Sequence, residues 1–237
     1  SHWGPLDDAH NWWLALGGME WALPTQEHGT EWGLAWDYQV GEDRDAVLIV
    51  LRDAPPNRNR VSAEVVVRLR RGEAAWTIEP RIFNDADHPI RLQFWLNAML
   101  TLGSQTVSPQ TQFILPMQSG TVHSTGDARL PPSGGIILWP KSNNLDLSRY
   151  ANWRNWLGVF ASEVDAGFAG AYNAETQLGV ARIFPPDTAR GLKLFAFGSE
   201  FADRAHYTDD PSAGSGQAPS AQYFELWGGP NKTFWQA

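Results

Sequence analysis

At 237 residues the chain is long enough to bury roughly 70% of its unfolded surface, so it needs neither a disulfide nor a metal staple. It has no cysteine, which excludes disulfides, thiolate metal sites and thiol nucleophiles. A formal net charge of −8 and a pI near 5.2 argue against a nucleic-acid surface, and no apolar run approaches the ~18 residues of a membrane span.

The start, Ser1-His2-Trp3, carries no basic and apolar leader, so no signal segment is read here and a cytoplasmic location is favoured. Thirteen tryptophans and 12% aromatic residues suit carbohydrate, whose C–H faces stack on flat rings, as well as they suit an aromatic β core. From Trp12 to Tyr38 the chain is dense in Trp, Gly and polar residues with little periodicity. Gly17–Trp21 and Glu27-His28-Gly29 read as loop or short irregular strand.

From Arg44 the pattern is β. Ala46–Leu51 is a short apolar run that predicts a strand covered on both faces. Pro55-Pro56 and its neighbours predict a turn. Ser62–Arg71 alternates, with Ala63, Val65, Val67 and Leu69 on one face, and Ala75–Asn84 alternates likewise. A long strand is expected over Ile90–Leu102. The short connections predict an antiparallel meander.

In the second half, Gln112–Leu115 predicts a short strand, followed by a polar loop over Met117–Asp127 that contains His123. Lys141–Trp156 reads as a polar loop with a short helix or lid. Leu157–Val164, Gly167–Asn173, Leu178–Ile183, Leu192–Phe197 and Gln222–Trp227 predict further strands, and Ser199–Ser220 a long loop. About a dozen strands with short turns and no helical half define an all-β sandwich or barrel, and no composition break marks a linker, so residues 1–237 are expected to form one domain.

The most informative stretch is Gln222–Gly229. As a strand it places Phe224 and Leu226 on one face and Tyr223, Glu225 and Trp227 on the other. A carboxylate flanked by aromatic rings suits a sugar, which offers faces to stack and hydroxyls that need acceptors. Elsewhere, Asn97 shares a strand face with Trp95 and Met99, and Lys193 shares one with Phe195 and Phe197. A buried structural hydrogen bond for Asn97 and a rim position for Lys193 are the plainer readings. There is no His-Glu-x-x-His zinc pair, no phosphate-binding glycine loop and no Gly-x-Ser-x-Gly elbow, and neither metal nor cofactor is expected.

Gly17-Gly18-Met19-Glu20-Trp21, Glu27-His28-Gly29, Phe94–Ala98, Gly191–Gly198 and Tyr223–Gly229, in that order, resemble uncharacterised bacterial members of the galactose mutarotase-like superfamily. The resemblance covers roughly residues 12–229. It implies a large two-sheet antiparallel β-sandwich (the mutarotase-like supersandwich) whose concave face binds carbohydrate. In the related aldose 1-epimerases a Glu on a late strand is the general base and histidines serve ring opening. By position that Glu is Glu225, with His123 as candidate acid and His28 as the runner-up.

Glu20, Trp95, Asn97, Lys193, Tyr223 and Trp227 are the candidate substrate-binding residues. The epimerase Asn-x-x-Asn-His segment is absent, which puts ordinary mutarotation in question. If Glu20 and Glu225 worked as a pair, glycoside cleavage would follow instead. A non-catalytic carbohydrate-binding module is the alternative. Relatives also carry an additional β segment before Gly17, so N-terminal strands are expected to be missing. A partner chain or a second copy could then complete the sheet. The expected partner at the site is a mono- or oligosaccharide, with neither nucleic acid nor membrane.

Overall fold

The computed structural model describes residues 2–7, 11–15, 18–23, 35–53, 60–200 and 223–232. The described residues form strands and one 3₁₀ turn, with no α-helix. Among them no helix is long and apolar enough to cross a membrane. The all-β antiparallel sandwich expected from the alternating pattern is the fold observed. The packing falls into two compact units, one of Ser1–Ala22 with Phe94–Gln236 and one of Leu23–Gln93.

The smaller unit is a four-stranded meander of β4 (Asp37–Glu42), β5 (Ala46–Arg52), β6 (Ser62–Arg70) and β7 (Trp76–Phe83), ordered β4-β5-β6-β7. Pro80 lies on β7, an edge strand of this sheet, where a missing N–H is tolerated. Ala63 and Val65 are buried, as their alternation predicts. The run Ala46–Leu51 is not covered on both faces: after Ala46 its residues are half-buried or exposed, with Val47 40% exposed. The other face carries a charged rung in which Arg52 Nε and Arg81 Nη1 both donate to Glu64, at 2.9 and 3.1 Å.

The larger unit begins with the hairpin β1 (His2–Asp7) and β2 (Asn11–Ala15), a pair of strands not anticipated from the sequence. Its main sheet has seven antiparallel strands, ordered β11-β10-β14-β17-β18-β8-β3. These are β3 (Gly18–Ala22), β8 (Trp95–Leu100), β10 (Ser119–Thr125), β11 (Ile136–Leu138), β14 (Leu157–Ala161), β17 (Gly191–Ala196) and β18 (Phe224–Gly229). A second sheet, ordered β16-β15-β9, contains β9 (Thr111–Ile114), β15 (Phe168–Asn173) and β16 (Leu178–Ile183). The short pair β12 (Lys141–Ser142) and β13 (Leu145–Asp146) lies between β11 and β14 in the chain.

One face of the seven-stranded sheet supplies Val122, Val159, Leu192, Leu194, Phe224 and Leu226. The second sheet supplies Phe113, Ala169 and Ala171, and all of these join one buried cluster. Removing this much apolar surface from water, at roughly 25 cal/mol per Å², drives the pairing of the two sheets. It also leaves the opposite face of the large sheet for other uses.

Three sequence expectations need correction here. The long strand over Ile90–Leu102 is limited to β8, and β8 joins the seven-stranded sheet rather than continuing the meander. Met117–Asp127 is not a loop: Ser119–Thr125 is β10, paired on both sides. Lys141–Trp156 is not wholly a solvated loop, because Leu147, Tyr150 and Trp153 are buried. Their polar atoms are satisfied locally. Tyr150 donates its hydroxyl to the Phe197 carbonyl at 2.6 Å, and Trp153 Nε1 donates to the Leu147 carbonyl at 2.9 Å. Burial holds the Tyr150 hydroxyl well above the usual phenol range.

Candidate functional site

The face of the large sheet opposite the main core carries polar residues in register. Pairing places Glu20 of β3 beside Asn97 of β8, Asn97 beside Trp227 of β18, and Trp227 beside Lys193 of β17. Lys193 in turn lies beside Phe160 of β14, and Phe160 beside Thr121 of β10. This is a single rung across six strands. The next rung holds Gly18, Met99, Glu225, Phe195 and Gly158. Side chains two residues apart on a strand share a face, so both rungs, with Trp95 and Tyr223, present to the same side.

The polar groups on this face are deeply buried. Asn97, Lys193 and Glu225 are 0, 1 and 2% exposed, and Trp95 and Trp227 are fully buried. Glu20, His123 and Tyr223 are half-buried. Charge at such depth must be partnered. Trp227 Nε1 donates to Glu225 Oε2 at 2.6 Å, a hydrogen bond to a charged group of the kind worth about 1.5–3 kcal/mol. Lys193 Nζ lies 5.0 Å from the centroid of the Trp227 ring and 5.7 Å from those of Phe160 and Phe195. Three aromatic faces thus surround one ammonium, an arrangement that stabilises a desolvated cation. Trp227 serves both neighbours, its ring face toward Lys193 and its N–H toward Glu225.

Asn97 Nδ2 donates to Glu20 Oε2 at 3.3 Å. The amide orientation follows from that contact, since the opposite one would set a carbonyl against a carboxylate. The Asn97 carbonyl Oδ1 is fully buried and accepts no hydrogen bond among the described residues. Such an orphan costs about 1–3 kcal/mol.

His123 reaches the face through an irregularity. The β10–β14 register runs Thr121 to Phe160, Val122 to Val159 and then Ser124 to Gly158, so His123 is the extra residue of a β-bulge. Val122 and Val159 point into the core, and the inserted residue turns toward the site, as bulges beside functional sites do. Its ring centroid is 5.3 Å from that of Phe160. Gly158 keeps this corner open: a Cβ there would stand 3.5 Å from both His123 Cβ and Lys193 Cε, and 3.2 Å from Phe195.

The two carboxylates are set apart by the register. Glu20 and Glu225 lie two strands and one rung apart, about 12 Å between Cα atoms at ordinary strand spacing and rise. Glu20 is engaged one strand short of Glu225, at Asn97.

The glycines closing β18 have steric reasons. A Cβ on Gly229 would overlap the Phe94 carbonyl, and one on Gly228 would overlap the Arg182 guanidinium. Arg182 comes from β16 of the second sheet, lies over the Phe184 ring and points Nη1 at the Leu96 carbonyl, 3.5 Å away.

Eight of the nine sequence-predicted site residues lie on this sheet face or at its edge. His28 lies outside the described residues. The sequence reading missed Phe160 and Gly158. Their alternation with Leu157, Val159 and Ala161 was available as a signal but points to no chemistry without the pairing. No group of three or more His, Cys, Asp or Glu among the described residues could hold a metal ion.

No family model matches the chain, and no curated protein matches it in sequence. Solved structures do. A TPR-domain containing protein from Parabacteroides distasonis ATCC 8503 superposes with a TM-score of 0.73 at 18% identity, over 95% of this chain and 35% of that one. A putative aldose 1-epimerase from Klebsiella pneumoniae subsp. pneumoniae MGH 78578 superposes with a TM-score of 0.50 at 10% identity, over 82% of this chain and 44% of that one. The fold is an antiparallel β-sandwich shared with these two structures. The chain spans between about a third and under half the length of these two structures.

Proposed function

We propose that the polar face of the seven-stranded sheet binds a carbohydrate and acts on its anomeric centre by acid/base catalysis. The observation that carries this reading is the buried Glu225 carboxylate, held by Trp227 Nε1 at 2.6 Å and set among Trp227, Lys193 and Asn97 on one face. The likeness of fold to a putative aldose 1-epimerase supports it.

In this reading Glu225 is the base. It takes the proton from the anomeric hydroxyl as the bond from C1 to the ring oxygen breaks and C1 becomes an aldehyde carbon. The departing ring oxygen receives a proton from an acid, for which His123, three strands from Glu225 on the same face, is the candidate. After rotation about C1–C2 the ring oxygen attacks the other face of the carbonyl. Both protons then return, so atoms and charge balance over the cycle. Lys193 lies on the rung beside Glu225 and supports negative charge developing on oxygen. A positioned acid or base contributes roughly 10²–10⁴-fold. Glu225→Gln should therefore lose at least a hundredfold in anomer exchange while retaining the fold.

A second reading, a binding module without turnover, is favoured by the aromatic enclosure that already occupies Lys193. It predicts glycan binding that survives Glu225→Gln and weakens in Trp227→Phe. Glycoside cleavage by Glu20 and Glu225 is a third reading: a register that sets the two residues two strands from each other suits the wider carboxyl spacing of an inverting pair, about 6.5–9.5 Å, rather than the ~5 Å of a retaining one.

A further inference from the structure

The rung that starts at Glu20 contains a feature that acid/base chemistry at Glu225 does not use. Asn97 is fully buried on β8, one strand in from the β3 edge of the sheet, its amide N–H is committed to Glu20, and among the described residues nothing donates to its carbonyl Oδ1. Neighbouring sequence does not require a polar residue there: Leu96 and Met99 are buried, and Trp95 is fully so. A leucine would fill the same position without an orphaned acceptor. The side chain is also held in one orientation, because Glu20 takes Nδ2 and thereby aims Oδ1. Its cross-strand neighbour is Trp227, the ring that contacts both Lys193 and Glu225.

We infer that Glu20 and Asn97 form a hydroxyl-reading subsite, in which Asn97 Oδ1 accepts a hydrogen bond from a ring hydroxyl of an uncharged sugar bound on this face. This rests on the carbohydrate reading above and adds to it the class of substrate. The donor must come from the ligand, since the acceptor is buried and every polar neighbour it has on its rung is already assigned. The local charge selects against anions. Among the described residues this face carries two carboxylates, Glu20 and Glu225, against one ammonium, Lys193. A uronate or a sugar phosphate would set a further negative charge beside Glu20. A neutral sugar instead supplies the donor that Oδ1 lacks. Glu20 is thus a positioning residue that acts through Asn97.

The test is calorimetric titration of the full chain with glucose, galactose, maltose, cellobiose and galacturonate. It is repeated with Asn97→Leu and Asn97→Asp, with the melting temperature of each variant recorded. The inference predicts binding of at least one neutral sugar in preference to galacturonate, weakened at least tenfold by Asn97→Leu while the melting temperature holds or rises. A merely structural asparagine would show the reverse, a lower melting temperature with unchanged affinity. One monodeoxy analogue of the bound sugar should bind the native chain at least tenfold more weakly than its parent, yet bind Asn97→Leu no more weakly than the parent does. Sugar binding that is indifferent to Asn97→Leu, or that favours galacturonate, overturns the inference and leaves the carbohydrate reading standing. Binding of none of these sugars overturns both.

Discussion

At the scale of the residue, the site is organised by Trp227. Its indole uses the face for a cation and the edge for an anion, so one ring contacts both Lys193 and Glu225. Trp227→Phe keeps the ring face and deletes the N–H. The variant should lose about 1–3 kcal/mol, the usual cost of removing a partner from a buried charged group, read as a lower urea midpoint with unchanged slope. An unchanged midpoint would show that the contact contributes nothing to folding.

A different pair gives part of the stability a dependence on acid. Asp127 is held below the ordinary carboxylate range chiefly by hydrogen bonds from the Arg129 side chain. A depressed carboxyl contributes stability above its unfolded value, near 3.9, and loses it as pH falls through the folded value. The stability difference between the native chain and Asp127→Asn should therefore be full at pH 6 and shrink below about pH 4. A difference that does not change with pH would contradict this assignment.

How much of the site could be read from single residues follows from the same facts. Glu225 between Tyr223 and Trp227 was legible, because a two-residue period is a local property. The depth of Glu225 was not, since burial depends on what pairs and packs from elsewhere. Asn97 meets Glu20 across 77 positions of sequence, a register no local pattern specifies. His123 was misread as a loop residue, because a bulge breaks the alternation by which strands are recognised.

At the scale of the element, β18 is fixed by its two terminal glycines. Gly229 abuts main chain, the Phe94 carbonyl, which cannot retreat without disturbing β8, whereas Gly228 abuts only the movable end of Arg182. Gly229→Ala should cost about 3 kcal/mol, the upper part of the usual range for overpacking, and Gly228→Ala clearly less. Arg182 is itself a burden. Burial lowers its pKa to about 10, it stays charged at neutral pH, and no carboxylate pairs with it among the described residues. Arg182→Met should thus raise stability by ~1 kcal/mol and should relieve most of the cost of Gly228→Ala, a coupling that a double-mutant cycle in urea measures. Additive effects would show that Arg182 does not occupy the space behind Gly228.

Three of the four meander strands, β5, β6 and β7, were legible nearly residue by residue, because their turns are short and their alternation is clean, whereas β1, β2, β4 and β10 were not read as strands. Lys141–Trp156 was not legible either. There, polar neighbours conceal Tyr150 and Trp153, whose hydroxyl and N–H are satisfied by carbonyls close at hand.

At the scale of the molecule, the seven-stranded sheet separates two tasks by face. One face is apolar and seals the core with the second sheet, and the other carries a row of polar and aromatic groups from strands far apart in sequence. The likeness to solved structures gives the fold, and the chemistry rests on the site. The central claim is that Glu225 acts as a base on a bound sugar. It is tested most directly by following anomer exchange in a panel of aldoses by NMR, with the native chain and Glu225→Gln side by side. The account predicts accelerated exchange for at least one aldose and a loss of at least a hundredfold in the variant, consistent with removal of a general base. Exchange that is accelerated equally by both proteins, or by neither with any aldose, would contradict it.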